Sequence, residues 1–350
     1  MRVSSILNTS NAEGNDGTCK SLNQKDLHQD SANKVIVVYV CRYQDEDSEG
    51  KFTRFVDSYK NHPAGYKHDL FIIKKGFQEQ EKTWETWTRQ LEGIPFQIRP
   101  YPDRHFVFGY IRNLMEEFPD HYILVCNATS EILVDHWLDL YMRHANPRRI
   151  LGAMGGYNSW AGNACPTPLT LRTLFWNDST IRRQWWLSVR GYDLRTPFHV
   201  KYFNLRPNPY LRTVNFMVPP RLLEQIFYWP RAENILSKVD ELYFESGKCS
   251  LTVQSLRAGI EPFVVAANGK RYGIREWSQL GGRDHSGKQK TLIIGDHRSR
   301  KYGKTLFIQK IVKRLCEKTY SKAQIDHWFE QVMNSDLSLA ATYYERNTER

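Results

Sequence analysis

Three carboxylates lie close together at Asp240, Glu241 and Glu245, in a stretch that reads as a loop to Gly247 and precedes a helical segment. A carboxylate in such a loop can take the proton of a hydroxyl nucleophile. It can equally act only as cap or dipole partner of the helix that follows, and the sequence leaves both readings open. Glu245, beside the glycine, is the leading base. A second group stands at Asn127-Ala128-Thr129-Ser130-Glu131. Here the apolar run from Tyr122 to Cys126 ends abruptly in small polar residues, the mark of a strand that delivers a functional loop at its carboxyl end. Asn127-Ala-Thr also fits the N-glycosylation pattern, read as accidental at a buried strand end. Asp296 and His297 follow a short apolar run, Thr291 to Ile294. A lone histidine in a basic loop is usually a surface residue.

The elements that must position these groups alternate. Strands are expected at Lys34–Tyr43, His68–Lys74, Phe96–Tyr101, Tyr122–Cys126 and Arg149–Met154. Helices are expected between them, at Phe52–Tyr59, Gln78–Leu91, Phe106–Phe118 and Val134–His144. Trp84, Trp87 and Leu91 recur at spacings of three and four, and prolines or glycines stop several elements. Strand–helix alternation with short loops is the pattern of a doubly wound, mostly parallel sheet. From Gly155 to Arg212 the periodicity weakens and Trp, Asn, Pro and Arg accumulate, as in a loop-helix insert over the sheet. A strand at Leu211–Val218, a helix at Arg221–Phe227, a loop at Glu241–Gly247, a helix at Lys248–Ala258 and a strand at Pro262–Ala266 complete the core. A short strand at Thr291–Ile294 and helices at Phe307–Glu317 and Ile325–Met333 follow.

The 350 residues, 41% apolar and 13% aromatic, suffice for a large α/β domain. No apolar run approaches the roughly 18 to 20 residues of a membrane span. Residues 1–33 are polar and lack the apolar centre of a signal peptide, so they read as a disordered leader of a cytoplasmic protein. Six cysteines are scattered without a Cys-x-x-Cys, which argues against zinc and for core thiols. The net charge of +11 is concentrated: residues 268–322 hold 15 Lys and Arg against 4 Asp and Glu. Such a segment suits an anionic membrane, a diphosphate, an acidic polymer or nucleic acid, or is simply a solvated face.

The succession resembles nucleotide-sugar glycosyltransferases of the GT-A type, in particular family-2-like enzymes of bacterial polysaccharide clusters. Two stretches carry the likeness. Tyr122 to Leu138, with Trp137, is similar to the strand, loop and helix that carry the Asp-x-Asp of that family. Asp240 to Gln254, with Gly259 and Phe263-Val264-Val265, is similar to its acidic loop, closing helix and closing strand. The resemblance covers roughly Lys34 to Ala266. It implies a GT-A-like (Rossmann-like) α/β fold with a leader at 1–33, a catalytic domain at 34–266 and a basic helical extension at 267–350. It implies transfer of a sugar from a nucleotide-diphosphate donor to a glycan or lipid-linked acceptor, with inversion and a carboxylate base, Glu245, near Asp240 and Glu241. Arg42, Asp45 and Asp47 would meet the base and ribose, and Asp69, Asp103 and Arg104 would lie near the donor. Asn127 and Thr129 stand where the metal-binding carboxylates would be. Amide and hydroxyl oxygens are poorer ligands for Mg²⁺ or Mn²⁺, so the divalent metal falls to Glu131, with His297 as a further ligand, or is dispensed with. In the second case Lys and Arg neutralise the diphosphate, with Lys248, Arg257, Lys270, Arg271, Arg298 and Arg300 as candidates. Trp160, beside Asn158, is the preferred acceptor platform among Trp160, Trp176, Trp185 and Trp186.

Two other classes compete. A non-catalytic protein could bind nucleic acid or another anionic surface through the basic segment, although zinc-finger spacing and an RNP stretch are absent from the sequence. A nucleotidyltransferase would place a glycine-rich loop after the first strand, and Cys41 to Asp47 has no glycine. Thr305 to Leu315 mixes apolar and basic residues at helical spacing, which suits either a peripheral contact with the inner face of an anionic membrane or a helix packed on the domain.

Overall fold

The computed structural model describes residues 33–103, 106–157, 202–203, 207–280, 291–303 and 320–348. The first strand, β1 (Val35–Arg42), is apolar and β-branched along its length and buried on both sides. It is followed by α1 (Ser48–Asn61), β2 (Asp69–Lys75), α2 (Glu81–Thr88), β3 (Gln97–Tyr101), α3 (Val107–Glu117) and β4 (Tyr122–Cys126). Next come the short β5 (Glu131–Ile132), α4 (Trp137–Met142), β6 (Arg149–Gly152) and β7 (Gly155–Gly156). The second half brings β8 (Tyr210–Leu211), β9 (Asn215–Val218), α5 (Leu222–Gln225), α6 (Lys238–Ser246), α7 (Leu251–Arg257), β10 (Glu261–Val265) and β11 (Arg271–Gly273). It closes with β12 (Ile294–Gly295), α8 (His297–Gly303), α9 (Lys322–Met333) and α10 (Ser338–Thr348).

The expected α/β architecture forms. Eight strands make one sheet in the order β11-β10-β6-β9-β4-β1-β2-β3. Pairings β1–β2, β2–β3, β1–β4 and β6–β10 are parallel, while β9 runs against β4 and β6, and β11 against β10. Side chains alternate across the sheet. Ile36, Val38 and Val40 of β1 join one core, with α3, α6, α7 and α9. Val35, Val37, Tyr39 and Cys41 join the other, with Phe52 and Phe55 of α1, Trp84 and Trp87 of α2, and Trp137 of α4. Among the described residues, helices therefore pack on both faces of the sheet.

Several boundaries differ from expectation for identifiable reasons. The run 211–218 is not one strand. Polar Arg212 and Thr213 break it between β8 and β9. Of the stretch 241–247, expected as a loop, all but the C-cap Gly247 belongs to α6, which starts earlier at a capping box between Ser237 and Asp240. The helix expected from Val134 starts at Trp137, because Glu131–Ile132 first pairs with β12. The sheet continues past Ala266 through β11, so residues 271–273 extend it beyond the expected domain end. The helix α10 has no counterpart in the sequence reading. The leader, most of the insert and the helix expected at Phe307–Glu317 lie outside the described residues.

Candidate functional site

The chain order of the first four strands builds a crevice. From β1 the chain moves outward to β2 and β3, then returns to the other side of β1 as β4. Parallel connections therefore depart in opposite directions on either side of the β1–β4 pair. In open α/β sheets such a switch point, at the carboxyl ends of the strands, is where ligands bind. The residues that leave β1 and β4 there are Arg42 to Asp47 and Asn127 to Glu131.

Register places Arg42 beside Lys75, and Lys75 beside Tyr101. Arg42 reaches across to Asp103 with both arms of its fork, Nε to Oδ1 at 2.7 Å and Nη2 to Oδ2 at 2.8 Å. Its Nη1 donates to Asp45 at 3.3 Å, and Lys51 donates to the same carboxylate at 3.2 Å. The hydrogen bonds from Arg42 hold the Asp103 carboxyl below its ordinary value, against the opposing effect of burial, and Lys75 adds to the lowering. Lys75 is almost fully buried. Burial lowers its ammonium from the ordinary value; Asp103 opposes that and Arg42 reinforces it. Gly76, at φ 74°, turns the chain there with the Asp103 carboxylate close by. A cavity of about 330 Å³ opens at this edge between Phe77, Gln78, Tyr101 and Pro102.

On the β4 side the loop is held by its own side chains. Asn127 Oδ1 accepts from Thr129 N at 2.9 Å, Thr129 Oγ1 at 2.9 Å and Ser130 Oγ at 3.3 Å. Tyr39 Oη, buried and stacked on Phe55, donates to the Ala128 carbonyl at 3.1 Å. Ser130 Oγ also donates to Asn215 Oδ1. The Asn215 amide Nδ2 is buried and has no partner among the described residues, which leaves a donor beside this loop for a bound molecule or water. Opposite stands α8. Arg300 donates to Glu131 at 2.7 Å and to the Thr129 carbonyl at 3.2 Å. His297 Nδ1 lies 3.3 Å from Thr129 Oγ1. Partial withdrawal from water lowers the His297 imidazole from its ordinary value. Arg298, Arg212 and Arg300 add to that, and Asp296 opposes it.

Glu245 enters from α6. Its Oε1 accepts from both Thr213 N at 3.1 Å and Thr213 Oγ1 at 2.9 Å. The next residue, Val214, gives its carbonyl to Asn127 N at 3.2 Å. One short segment, Thr213 to Asn215, therefore ties the carboxylate to the β4 loop. Glu245 is partly exposed, and its Oε2 has no partner among the described residues. The segment is itself anchored by a fully buried ion pair, Arg212 Nη2 to Asp296 Oδ2 at 3.0 Å. Asp296 in turn caps α8, its Oδ1 accepting from Ser299 N at 2.7 Å.

The structure thus brings together Arg42, Asp45 and Asp103 on one side, and Asn127, Thr129, Glu131, His297, Arg300 and Glu245 on the other. Other expected residues are placed elsewhere or otherwise occupied. Glu245 lies in the last turn of a helix, not in a loop before one. Asp240 is the capping-box partner of the N-cap Ser237: its Oδ2 accepts from Leu236 N, Ser237 N and Ser237 Oγ, and its Oδ1 from Tyr343 Oη. Both of its carboxylate oxygens are engaged and it is buried, so the structure gives it a structural place at the helix start. Glu241 pairs with Lys238 one turn back. Asp69 sits at the opposite, amino end of β2, roughly 20 Å from the strand's other end at the usual rise, so it cannot meet a donor there. Asp47 occupies the left-handed N-cap of α1, 3.7 Å from Arg54. It lines a second, open cavity of about 800 Å³ between α1 and Glu131.

Among the expected cations, Arg257 caps the end of α9 through the Val332 and Ser335 carbonyls. Arg271 packs over Phe263 at the sheet edge, and Lys270 is exposed in the turn before it. Lys248 is partly buried just past α6, and Arg298 is exposed on α8. Arg104, Asn158, Trp160, Trp176, Trp185 and Trp186 lie outside the described residues. Cys41, Cys126 and Cys249 are free and buried, as expected of core thiols. The sequence reading missed Lys75, Arg212, Thr213 and Asn215. The signal was present: a charged and two polar residues interrupt an apolar strand pattern at 212–215.

No helix among the described residues is long and apolar enough to cross a membrane. No protein-family model matches the sequence, and no curated protein is significantly similar to it. Among solved structures, the apo form of mouse xyloside xylosyltransferase 1 is matched at 10% identity over 61% of this chain and 77% of that one, with a TM-score of 0.31. A likeness that loose says nothing of substrate or reaction.

Proposed function

We propose that this chain is a GT-A-type glycosyltransferase that moves a sugar from a nucleoside-diphosphate donor to a hydroxyl of a glycan or lipid-linked acceptor. The observation that carries this reading is the Glu245 carboxylate. One oxygen is pinned by two Thr213 donors, the other has no partner among the described residues, and the same segment holds the loop at the β1–β4 switch point. A carboxylate oriented through one oxygen presents the other to an acceptor hydroxyl, which is the geometry of a general base. The bidentate Arg42–Asp103 pair stiffens the neighbouring strand end, where a nucleoside would lie. Glu245 takes the acceptor proton as the hydroxyl oxygen attacks the anomeric carbon from the face opposite the diphosphate, so configuration inverts.

The test is a panel of UDP-, GDP- and dTDP-sugars assayed for release of nucleoside diphosphate, with wild type and Glu245→Gln side by side. The glutamine keeps the acceptor of the Thr213 bonds and removes the base. Turnover falls by a factor of roughly 10² to 10⁴, with donor binding and the melting temperature preserved. Undiminished turnover in the variant would remove Glu245 from the mechanism.

A further inference from the structure

The loop leaving β4 is faced by a guanidinium, and its polar oxygens are already engaged. Divalent Mg²⁺ or Mn²⁺ takes oxygen ligands and is usually held through one or two carboxylates. Asn127 Oδ1 accepts hydrogen bonds from Thr129 N and Thr129 Oγ1 of its own loop. Thr129 Oγ1 spends its proton on one of them. Glu131, the one carboxylate of the loop, is bound by Arg300 at 2.7 Å. Among the described residues no three His, Cys, Asp or Glu side chains converge on a point. This donor set does not fit a divalent cation.

The same contacts fit an anion. Arg300 is held from two sides, by the Glu131 carboxylate and the Thr129 carbonyl, and about a quarter of its side chain stays exposed, as does that of Glu131. The pair is partly open to water, which screens it, so a second anion can compete with the carboxylate for the fork. A guanidinium offers a planar fork that matches phosphate oxygens two at a time. We infer that Arg300 supplies the positive charge at this position: it binds the diphosphate of the donor, and Glu131 is the resident anion that keeps the fork aimed until the diphosphate replaces it.

This inference rests on the transferase reading above. In the transfer step the acceptor oxygen forms its bond to the anomeric carbon, and the bond from that carbon to the diphosphate oxygen breaks. The electron pair leaves with the diphosphate, and the acceptor proton goes to Glu245. The Arg300 guanidinium stabilises the charge that develops on the leaving oxygen.

The two possible roles of Glu131 predict opposite signs. If it is a competing anion, Glu131→Gln frees Arg300 and tightens diphosphate binding. If it is a metal ligand, the same change weakens binding. The experiment is calorimetric titration of the full chain with pyrophosphate, UDP, GDP and dTDP, each in EDTA and in Mn²⁺. Pyrophosphate and one nucleotide bind in EDTA, Arg300→Ala weakens both by roughly 10-fold or more, Arg300→Lys recovers part of the loss, and Glu131→Gln tightens both. Binding that appears only with Mn²⁺, or that weakens in Glu131→Gln, overturns the inference and leaves the transferase reading standing. So does binding in EDTA that is indifferent to Arg300→Ala. Absence of binding by every probe in both buffers overturns the transferase reading itself. The sign in Glu131→Gln decides the matter even where Arg300→Ala fails to fold.

Discussion

Replacing Asp296 by alanine removes a charged partner of Arg212 at a buried position. Side-chain exposures of Arg212 and Asp296 are 2% and 0%. Breaking a buried pair by removing one member costs about 3–5 kcal/mol, because the remaining charge is left buried. Asp296 also caps α8 through Ser299 N, and loss of such a cap adds about 1 kcal/mol. The unit Lys34–Arg350 holds roughly 320 residues. At about 2.1 cal/mol/K per residue its unfolding entropy is roughly 0.7 kcal/mol/K, so a total cost of about 4–6 kcal/mol lowers the melting temperature by roughly 6 to 9 °C. Calorimetry at neutral pH reads this directly. The companion double variant Arg212→Met/Asp296→Leu removes both charges and keeps apolar volume. It recovers most of the loss, since apolar replacements of buried pairs are often neutral or stabilising, and retains the deficit of about 1 kcal/mol from the missing cap. A drop of less than about 1 °C in Asp296→Ala, or a double variant no better than the single, refutes the view that this pair anchors the site.

Two further outcomes follow from the same geometry. Thr213→Val keeps the shape of residue 213 but removes the hydroxyl that donates to Glu245. A hydrogen bond to a charged group is worth about 1.5–3 kcal/mol, so kcat falls roughly 10-fold or more with donor KM nearly unchanged, and Thr213→Ser restores it. A rise in donor KM with unchanged kcat would contradict the positioning role. The Asp103 carboxyl is lowered in the folded state by Arg42. Its contribution to stability is therefore complete above its ordinary value of 3.8 and disappears as pH falls from there through the lowered folded value. Thermal midpoints measured from pH 7 downward fall more steeply in this acid window for wild type than for Asp103→Asn, and the reverse order would contradict the pairing. Solvent screens this partly exposed pair, so the difference is modest.

The parallel half of the fold was legible because β1, β2 and β4 are apolar runs set apart by amphipathic helices, while β3 is a short, largely exposed edge strand. β1, β2, β3 and β4 all fall where hydrophobic pattern places them, and Tyr122–Cys126 ends where its polar loop begins. What pattern could not supply was pairing between distant segments. β9 is inserted antiparallel between β4 and β6, and no local signal tells an antiparallel strand from a parallel one. The capping box Ser237-x-x-Asp240 was readable, and weighing it would have moved Asp240 from the catalytic set to the helix start. Glu245 was found for an incomplete reason, since its place in α6 matters less than the Thr213 donors that orient it.

The insertion of β9 explains why the site is assembled from segments so far apart in sequence. A strand running against its neighbours has its amino end where theirs have their carboxyl ends. The residues that enter β9, Arg212 to Asn215, therefore arrive at the very edge where β1 and β4 discharge their loops. Val214 meets Asn127, Asn215 meets Ser130, Thr213 receives Glu245, and Arg212 reaches back to Asp296 at the head of α8. A parallel strand in this position would have delivered its carboxyl end instead, and its preceding residues would lie on the far side of the sheet. One reversed strand thus links the candidate base on α6 to the cation on α8 through four consecutive residues. A disturbance at Arg212 should accordingly be felt both by Glu245 and by Arg300, although neither touches the other in the contacts described.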